Sequence, residues 1–449
     1  MPEETLKNLK ETNEGRKVKM RKCLKTKSGI TLIALVVTIV VLLILAGVSI
    51  SLLLDENGII KKSKDARREY GQAKANEQEQ MDNAEDWIDE AVTGKVPLVK
   101  VPVGTKASKN GTINGEAGDS NNPTIPKGYI PIDTATSAWG DGSSAPSQDS
   151  VKHGLVIKDE KNNEWVWVPV DSATLATMYE ESSDEKTLCG TTGETAVKTK
   201  LYSKSEIISG KTRTTPGTTS SYREPELVVK KYDGNDDYDV KTEYYNTILG
   251  FESKEKMAEA FVADYNEMIA SISKYGGFYI GRYELSEAGV QKDKATLTNT
   301  NWYDLYQKCK ILNASNKVET RMIWGCQWDV TMNWLISSGA KTSDEVNKDS
   351  SSWGNYKGTS VKADDGTTEI KASGKNQILN TGKTTFTMAN NIYDLAGNCF
   401  EWTQEAGYTS NRAYRGGNCY SSGSHGPASS RDGYGPNIVR QRHTVLVPL

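Results

Sequence analysis

Two acidic residues near the C-terminal end of the chain are spaced for binding a hard metal ion. The sequence YDLAGNCFEW places Asp394 and Glu401 seven residues apart, with Gly397 and Cys399 between them. Ca²⁺ takes side-chain carboxylates together with backbone carbonyl oxygens as ligands. The spacing therefore predicts a structural Ca²⁺ site on a turning loop.

A competing interpretation of the same two carboxylates needs no metal. Asp394 would cap a turn, and Glu401 would form an ion pair with a base such as Arg415 or Arg431. The sequence leaves both interpretations open.

The cysteines and histidines fit no established metal or catalytic motif. The six cysteines are Cys23, Cys189, Cys309, Cys326, Cys399 and Cys419. They form no CxxC pair and none stands at zinc-ligand spacing from a histidine. The three histidines belong to no HExxH motif, and the chain has no GxSxG elbow or Walker loop. A single disulfide is compatible with these spacings, and Cys399 with Cys419 is the favoured pair.

The segment after Asn418 has the composition of an adaptable binding loop. It is rich in Ser, Gly, Tyr, Asn and Arg. Tyrosine gives contact area at low entropic cost, and Ser and Asn supply adjustable hydrogen bonds. The predicted ligand-binding face consists of Asn418, Tyr420, Ser421, Ser422, His425, Arg431 and Tyr434. The alternative is an ordinary exposed loop.

Strands and a helix are predicted upstream of these residues. Gly154 to Asp159 and Glu164 to Val170 predict a strand pair, and the alternation of Trp and Val predicts that the second strand buries both faces. Ser253 to Gly277 predicts a helix with a Ser N-cap, an apolar stripe and a terminal Gly pair. Between them, about 172–250 is polar and aperiodic, which predicts an insertion of loops with a hairpin.

Large aromatic residues predict where the core of this domain lies. Trp324, Trp328, Trp334 and Trp402 each carry roughly 150–250 Å² of surface to bury. Their segments are separated by glycine-rich turns, in which the backbone can approach closely. We therefore expect an α+β domain whose irregular segments pack around buried tryptophans.

The order of motifs resembles the sulfatase-modifying-factor family, the formylglycine-generating-enzyme-like domains. The resemblance rests on GGFYIGRYELS, RMIWGCQWDVTMNWL, NIYDLAGNCFEWT and YRGGNCYSSGS, and it covers roughly Gly154 to Leu449. It implies a C-type-lectin-like fold and calcium bound by the side chains of Asp394 and Glu401 and the carbonyls of Gly397 and Cys399.

The same resemblance bears on catalysis. Active members use two copper-binding cysteines after the RGG motif, and here those positions hold Ser421 and Gly426. Cys419 lies two positions early, so we expect no copper site and no catalysis. The C-terminus also departs from the family, with Arg440 and Gln441 before a predicted last strand, Thr444 to Val447.

The N-terminal part of the chain predicts a membrane helix. Ile30 to Leu54 contains no charged residue and, at about 1.5 Å per residue, is long enough to cross a bilayer. Nine Lys and Arg precede it, which predicts a cytoplasmic leader and an extracellular C-terminal domain. An amphipathic pattern from Ile59 to Val92 predicts a stalk helix, or alternatively a separate coiled-coil spacer.

The junction at Gly29 and Ile30 resembles the processing signal of type IV prepilins. A basic leader ends in Gly29, and ITLIALV follows. The resemblance implies cleavage and methylation by a prepilin peptidase, and the alternative is an uncleaved signal anchor. The family usually has Glu where this chain has Ala34, so assembly with other pilin subunits stays open.

These observations predict four regions: a leader (1–29), a membrane and stalk helix (30–92), a linker with short strands (93–150) and the family-like domain (151–449). The formal charge is −3 overall and about −8 after the leader, which argues against nucleic acid as a partner. We expect a pilin-like, single-pass surface protein that displays a non-catalytic domain for a saccharide or protein ligand. The alternatives are an exported enzyme of the formylglycine-generating type and a minor pseudopilin of a secretion or DNA-uptake system.

Overall fold

The computed structural model divides the chain into two compact units, Met1–Glu85 and Asp86–Leu449. The residues it describes are 38–39, 41, 98–100, 119–121, 123–126, 129–132, 151–204, 222–228, 243–312, 319–407, 410–439, 443–445 and 448. In the first unit, Thr38, Ile39 and Val41 are helical. The predictions for Gly29, Ile30, Ala34 and the stalk lie outside the described residues.

The second unit contains both helices and strands, so the α+β prediction is confirmed. The helices are α1 Ser172–Met178, α2 Lys254–Tyr275, α3 Trp302–Ile311, α4 Gly325–Ser337 and α5 Ser343–Asn347. The first strands are β1 Leu98–Lys100, β2 Thr124–Pro126, β3 Ile130–Ile132, β4 Val156–Lys158, β5 Glu164–Pro169, β6 Tyr179–Thr187, β7 Lys198–Ser203, β8 Tyr222–Arg223 and β9 Gly277–Gly281. The others are β10 Val361–Lys362, β11 Glu369–Lys371, β12 Met388–Ala389, β13 Ile392–Tyr393, β14 Phe400–Gly407, β15 Asn411–Arg415, β16 Arg431–Tyr434 and β17 His443–Thr444. None of the helices in the described residues combines the length and apolar character needed to cross a membrane.

The first large sheet has the strand order β3-β4-β5-β9, with all neighbours antiparallel. Its strand pair β4–β5 confirms the prediction for 154–170. In β5, Trp165 and Trp167 enter one hydrophobic cluster, whereas Val166 and Val168 enter another. The alternation seen in the sequence therefore places this strand between two cores, as predicted.

The second large sheet holds the acidic motif. Its order is β16-β15-β14-β17, and β8 also pairs with β14. Every residue of β14 is buried, and a register shift between Trp402 and Ala406 interrupts its pairing with β15. The last strand, β17, covers His443–Thr444, so Thr444 of the predicted strand is confirmed and Val445 is not in a strand. The other predicted strand residues, 446–447, and Arg440 and Gln441 lie outside the described residues.

Helix α2 begins and ends as its sequence predicts, with a Ser N-cap and a terminal glycine. The Ser253 side chain accepts a hydrogen bond from the Lys256 amide, and Gly276 ends the helix in the left-handed conformation with a φ of 74°. Its apolar stripe is buried, and so are all four predicted core tryptophans.

The described part of the polar insertion contains more regular secondary structure than predicted. The expected hairpin is present as β6–β7, but the sequence did not predict helix α1 or the short strand β8. The segment Tyr222–Val228 lies against the second sheet, where Arg223 pairs with Ala406. Two carboxylates, Glu224 and Glu226, are buried there.

Candidate functional site

The two predicted calcium-binding carboxylates are both buried. Asp394 follows β13 in a left-handed turn with a φ of 62°, and its Oδ2 accepts a hydrogen bond from the Gly382 amide at 2.9 Å. Glu401 lies in β14 and is fully buried. Gly397 lies between them, in the left-handed region at a φ of 79°, and its amide donates to the Gly416 carbonyl at 2.8 Å.

Neither carboxylate oxygen of Glu401 has a hydrogen-bond partner. The predicted alternative, an ion pair with Arg415 or Arg431, is wrong because both arginines bind Asp329 and Glu405 instead. A buried carboxylate without hydrogen bonds is strongly unfavourable in its charged form. Glu401 must therefore be protonated or neutralised by a bound cation.

A third carboxylate, Glu284, completes this group, and sequence reasoning missed it. It follows β9 and is fully buried. Its oxygens accept hydrogen bonds from the Thr296 hydroxyl at 2.8 Å, the Asn398 side-chain amide at 2.7 Å and the Cys399 amide at 3.3 Å. The available signal was a single Glu after an apolar strand, which by itself does not indicate a site.

Burial raises the pKa values of all three carboxyls, and repulsion by neighbouring carboxylates adds to the shift for Glu284 and Glu401. Burial raises the pKa of Asp394 to about 6, although the Gly382 amide opposes the shift. Burial, followed by the Asp394 charge, raises the pKa of Glu284 well above its usual range. Burial, with the charges of Glu284 and Asp394, does the same for Glu401.

The donor chemistry of this acidic cluster, defined as Glu284, Asp394 and Glu401, fits a hard cation. No ion pair joins the cluster to a Lys or Arg in the part of the chain that the structure describes. The Leu395 carbonyl oxygen and Glu401 Oε2 both face the space beside Gly416, at 3.0 Å and 2.2 Å from where a Cβ would lie. Within the described ranges, however, no three metal-ligating His, Cys, Asp or Glu side chains surround one point. Calcium at this place would therefore rely on carbonyl oxygens for part of its ligand set.

A buried ion-pair network lies beside the acidic cluster. Arg415 donates to Asp329 Oδ1 at 3.0 Å and to Glu405 Oε2 at 3.0 Å. Arg431 reaches Asp329 Oδ2 at 3.1 Å and Glu405 Oε1 at 2.8 Å. Two carboxylates and two guanidinium groups thus neutralise one another inside the domain. Arg431 was predicted as a ligand contact, but the structure buries it in this network.

Glu224 of the insertion lies at the N-terminus of α4. Its two carboxylate oxygens accept from the Gly325 and Cys326 amides, each at 2.7 Å. Helix N-termini favour such an anion. Even so, burial and the nearby Glu405 charge raise the pKa of Glu224 to about 7.

The predicted ligand face is partly exposed. Ser422 and His425 are exposed, Tyr420 has 37% of its surface exposed, and Ser421 and Tyr434 are half-buried. Asn418 is buried, and its Oδ1 accepts from the Tyr420 amide at 2.8 Å. Asn418 therefore supports the loop instead of facing a ligand.

Hydrogen bonds hold this loop against a neighbouring segment. The Asn418 carbonyl accepts from the Ser421 amide at 3.2 Å and from its hydroxyl at 3.1 Å. The Lys357 amide donates to the Ser421 carbonyl at 3.0 Å, and the Ser350 amide donates to the Gly423 carbonyl at 3.3 Å. The exposed side chains of the loop thus stand on a fixed backbone.

Comparison with known proteins assigns the chain to no family. No family model matches the chain, and no curated protein matches it. Among solved structures, PvdO from Pseudomonas aeruginosa is 13% identical, with 39% of this chain and 80% of that chain covered and a TM-score of 0.25. Variable protein 1 of Treponema denticola is 11% identical, with 64% and 95% covered and a TM-score of 0.20. Both TM-scores are below 0.5, so neither likeness carries an argument, and the family resemblances remain predictions.

Proposed function

We propose that this chain is a pilin-like, membrane-tethered surface protein whose C-terminal domain binds an extracellular saccharide or protein without catalysing a reaction. The observation that carries the proposal is the loop from Tyr420 to His425. It presents aromatic and polar side chains to solvent from a backbone fixed by Asn418 and by the segment 350–357. A preorganised surface of this kind loses little entropy when it binds.

The proposed binding face consists of the exposed and half-buried members of the predicted set. They are Tyr420, Ser421, Ser422, His425 and Tyr434. Their mixture of aromatic area and hydroxyl groups suits the apolar faces and hydroxyls of a saccharide, or a polar protein surface.

The N-terminal sequence supports delivery to the cell surface. In this proposal a prepilin peptidase cleaves between Gly29 and Ile30, and the single helix from Ile30 anchors the chain with its C-terminal domain outside the cell. Ala34 replaces the glutamate typical of filament-forming pilins, so the proposed function requires no filament.

The binding proposal is tested with the full-length chain in detergent micelles on saccharide and protein arrays. Binding by the wild type, reduced at least tenfold in both Tyr420→Ala and His425→Ala, is the expected result. Tyr275→Ala is the matched control, because this tyrosine ends α2 and is half-buried but, among the described residues, makes no hydrogen bond with the loop. Equal binding by all variants would show that the ligand binds to another surface. A wild type that binds nothing on the arrays would contradict the proposal.

We also propose that the acidic cluster holds a structural Ca²⁺ ion. The supporting observation is Glu401, which is buried with both oxygens unpaired and close to two further carboxyls. When bound, the ion would neutralise the cluster, and Asp394 and Glu401 with the carbonyls of Gly397 and Cys399 are its proposed ligands. The ion would thereby stabilise the turn that precedes β14.

The calcium proposal predicts a metal-dependent melting temperature. At neutral pH, Ca²⁺ should raise the Tm of the EDTA-treated full-length chain by several degrees, because ligand binding to the folded state alone stabilises it. Glu401→Gln should lose this increase, whereas Glu369→Gln, which changes an exposed carboxylate on strand β11, should retain it. An identical Tm in Ca²⁺ and EDTA would show that the cluster is stabilised by protonation instead.

A further inference from the structure

Two buried cysteines lie at the junction of the acidic motif and the proposed binding loop. Cys399 immediately precedes β14, and Cys419 immediately precedes Tyr420 in the loop. Both side chains are fully buried, and the structure holds both as thiols. The proposed function uses neither thiol.

Backbone hydrogen bonds fix the distance between the two cysteines. The Gly397 amide donates to the Gly416 carbonyl at 2.8 Å, and the Cys419 amide donates to the Asn398 carbonyl at 3.0 Å. Cys399 follows Asn398 directly, so standard bond lengths place the two cysteine Cα atoms within about 7 Å of each other. Disulfides span Cα separations of about 4.4–6.8 Å, so the backbone geometry suits a bond.

The two side chains also lie within electrostatic range of each other. The Cys419 sulfur is close enough to Cys399 to affect its electrostatics, and so is the Glu284 carboxylate. Cys419 also interacts electrostatically with Lys371. The Lys371 amine is buried and donates to the carbonyls of Tyr356 at 2.6 Å and Thr359 at 2.9 Å. Cys399 thus has the acidic cluster as an electrostatic neighbour, and Cys419 has this lysine.

The other cysteines have different surroundings. Cys309 lies on α3, where its carbonyl accepts from the Thr320 hydroxyl, and Cys326 lies at the start of α4 beside Glu224. Cys189 follows the hairpin strand β6, and its amide donates to Glu226. No hydrogen bond among the described residues brings any of these three alongside Cys399 or Cys419.

We propose that Cys399 and Cys419 form a redox latch, a disulfide that closes when the domain folds in the presence of a small-molecule or protein disulfide donor. A Cys399 Sγ–Cys419 Sγ bond forms and the S–S bond of the donor breaks. Two electrons pass from the cysteine pair to the donor, and the two thiol protons end on the sulfurs of the donor, which leaves as two thiols.

The closed latch would tie the start of β14 to the start of the loop that carries Tyr420 and His425. It uses only side-chain atoms, so the Cys399 carbonyl stays available to a metal. Because both sulfurs are inaccessible in the folded domain, the bond should form quickly during folding and slowly afterwards. The proposal does not depend on the ligand of the loop.

The test uses the unprocessed full-length chain, refolded in detergent with and without a glutathione redox buffer. Maleimide alkylation under denaturing conditions then counts thiols by mass. Of the six cysteines, four should react after oxidative refolding and six after reducing refolding, and mass spectrometry of the digest should find the Cys399–Cys419 peptide. Oxidation should also raise Tm by roughly 5 °C, since the bond closes a short loop.

Cysteine variants distinguish a Cys399–Cys419 bond from a bond between other cysteines. Cys399→Ala and Cys419→Ala should each leave all five remaining thiols reactive, whereas Cys309→Ala, the buried control, should leave three of five reactive. Six reactive thiols after oxidative refolding of the wild type, or a bond mapped to another pair, would overturn the proposal. The thiol count is unaffected if the arrays reveal no ligand, so failure of this proposal and failure of the binding proposal are distinguishable.

Discussion

The interior of this domain contains buried carboxylates in two different electrostatic situations. Asp329 and Glu405 are neutralised by Arg415 and Arg431, which lie within hydrogen-bond distance. The acidic cluster has no such ion pairs within the described residues, and its carboxyls have raised pKa values. A charge buried without a partner must bind a cation or a proton. The contrast makes the acidic cluster, and not the ion-pair network, the candidate for a ligand.

Removing one member of the ion-pair network should be strongly destabilising. Arg415→Met leaves Asp329 and Glu405 buried with one guanidinium between them, and we expect a loss of about 3–5 kcal/mol in the free energy of unfolding. Lys348→Met is the control, because its pair with Asp344 has side chains 69% and 70% exposed and should change stability by about 0.5 kcal/mol or less. Denaturant unfolding followed by tryptophan fluorescence measures both. Equal effects of the two substitutions would contradict the buried geometry.

Glu224 predicts a pH dependence of stability. Its folded pKa of about 7 lies above its ordinary value of 4.5, so the folded state binds more protons than the unfolded state between these values. The corresponding stabilisation is complete below pH 4.5 and is lost as pH rises through 7. We therefore expect Tm to fall between about pH 5 and pH 8, and Glu224→Gln to remove part of that fall.

The matched control for Glu224→Gln is Glu180→Gln, which changes an exposed carboxylate on β6. Its pH profile should follow that of the wild type. A Glu224→Gln profile parallel to the wild type would show that another group causes the decline.

At the scale of elements, the approach of β14 to the turn after β15 depends on a glycine. Gly416 has a φ of 84°, and a Cβ there would lie 2.2 Å from Glu401 Oε2. Gly374 has the same φ but open space around its Cβ position. Gly374→Ala should therefore cost only the backbone strain, about 1–2 kcal/mol, whereas Gly416→Ala should cost at least about 1 kcal/mol more. Urea unfolding of both variants checks this, and equal losses would show that Glu401 moves aside freely.

Helices and strands whose own sequence carries caps, an apolar stripe or alternation were predictable. Elements that depend on contacts with distant parts of the chain were not. Helix α2 carries its own cap, apolar stripe and terminal glycine, and β5 carries its alternation. Helix α1 is only seven residues long and contains three residues with weak helix propensity, so its sequence resembled a loop. The burial of Glu224 comes from α4, about 100 positions later in the chain. Composition cannot reveal such a contact.

The candidate site was predictable to a similar extent. Asp394 and Glu401 share one short motif, and the structure buries both carboxyls with raised pKa values, while calcium binding there stays a prediction. Glu284 joins them through a different segment, which spacing alone could not show. Arg431 was assigned to the surface because it follows a run of Ser and Gly, but a long-range ion pair buries it.

At the scale of the whole molecule, the chain divides into two compact units. The second unit contains two large sheets, two hydrophobic clusters and the acidic cluster, all within Asp86–Leu449. The prediction for the first unit rests on its sequence, in which a basic leader precedes a long apolar segment. Delivery outside the cell would also let the domain fold in the presence of disulfide donors, while Cys399 and Cys419 are still accessible. Cleavage of the leader is therefore the test that bears most directly on the prediction for the first unit.

Cleavage after Gly29 should shorten the chain by its leader. A peptidase that cuts beside a small residue needs the extended backbone to fit closely in its active site, so Gly29→Val should block cleavage, whereas Ser28→Ala should not. In membranes from cells that contain a prepilin peptidase, a C-terminally tagged wild-type chain should migrate as the shorter form. Its N-terminal residue, determined by mass spectrometry, should be Ile30. A wild-type chain that keeps Met1 and its leader in these cells would mean that Ile30 to Leu54 acts only as an uncleaved anchor, because the positive leader and apolar segment suffice for that role.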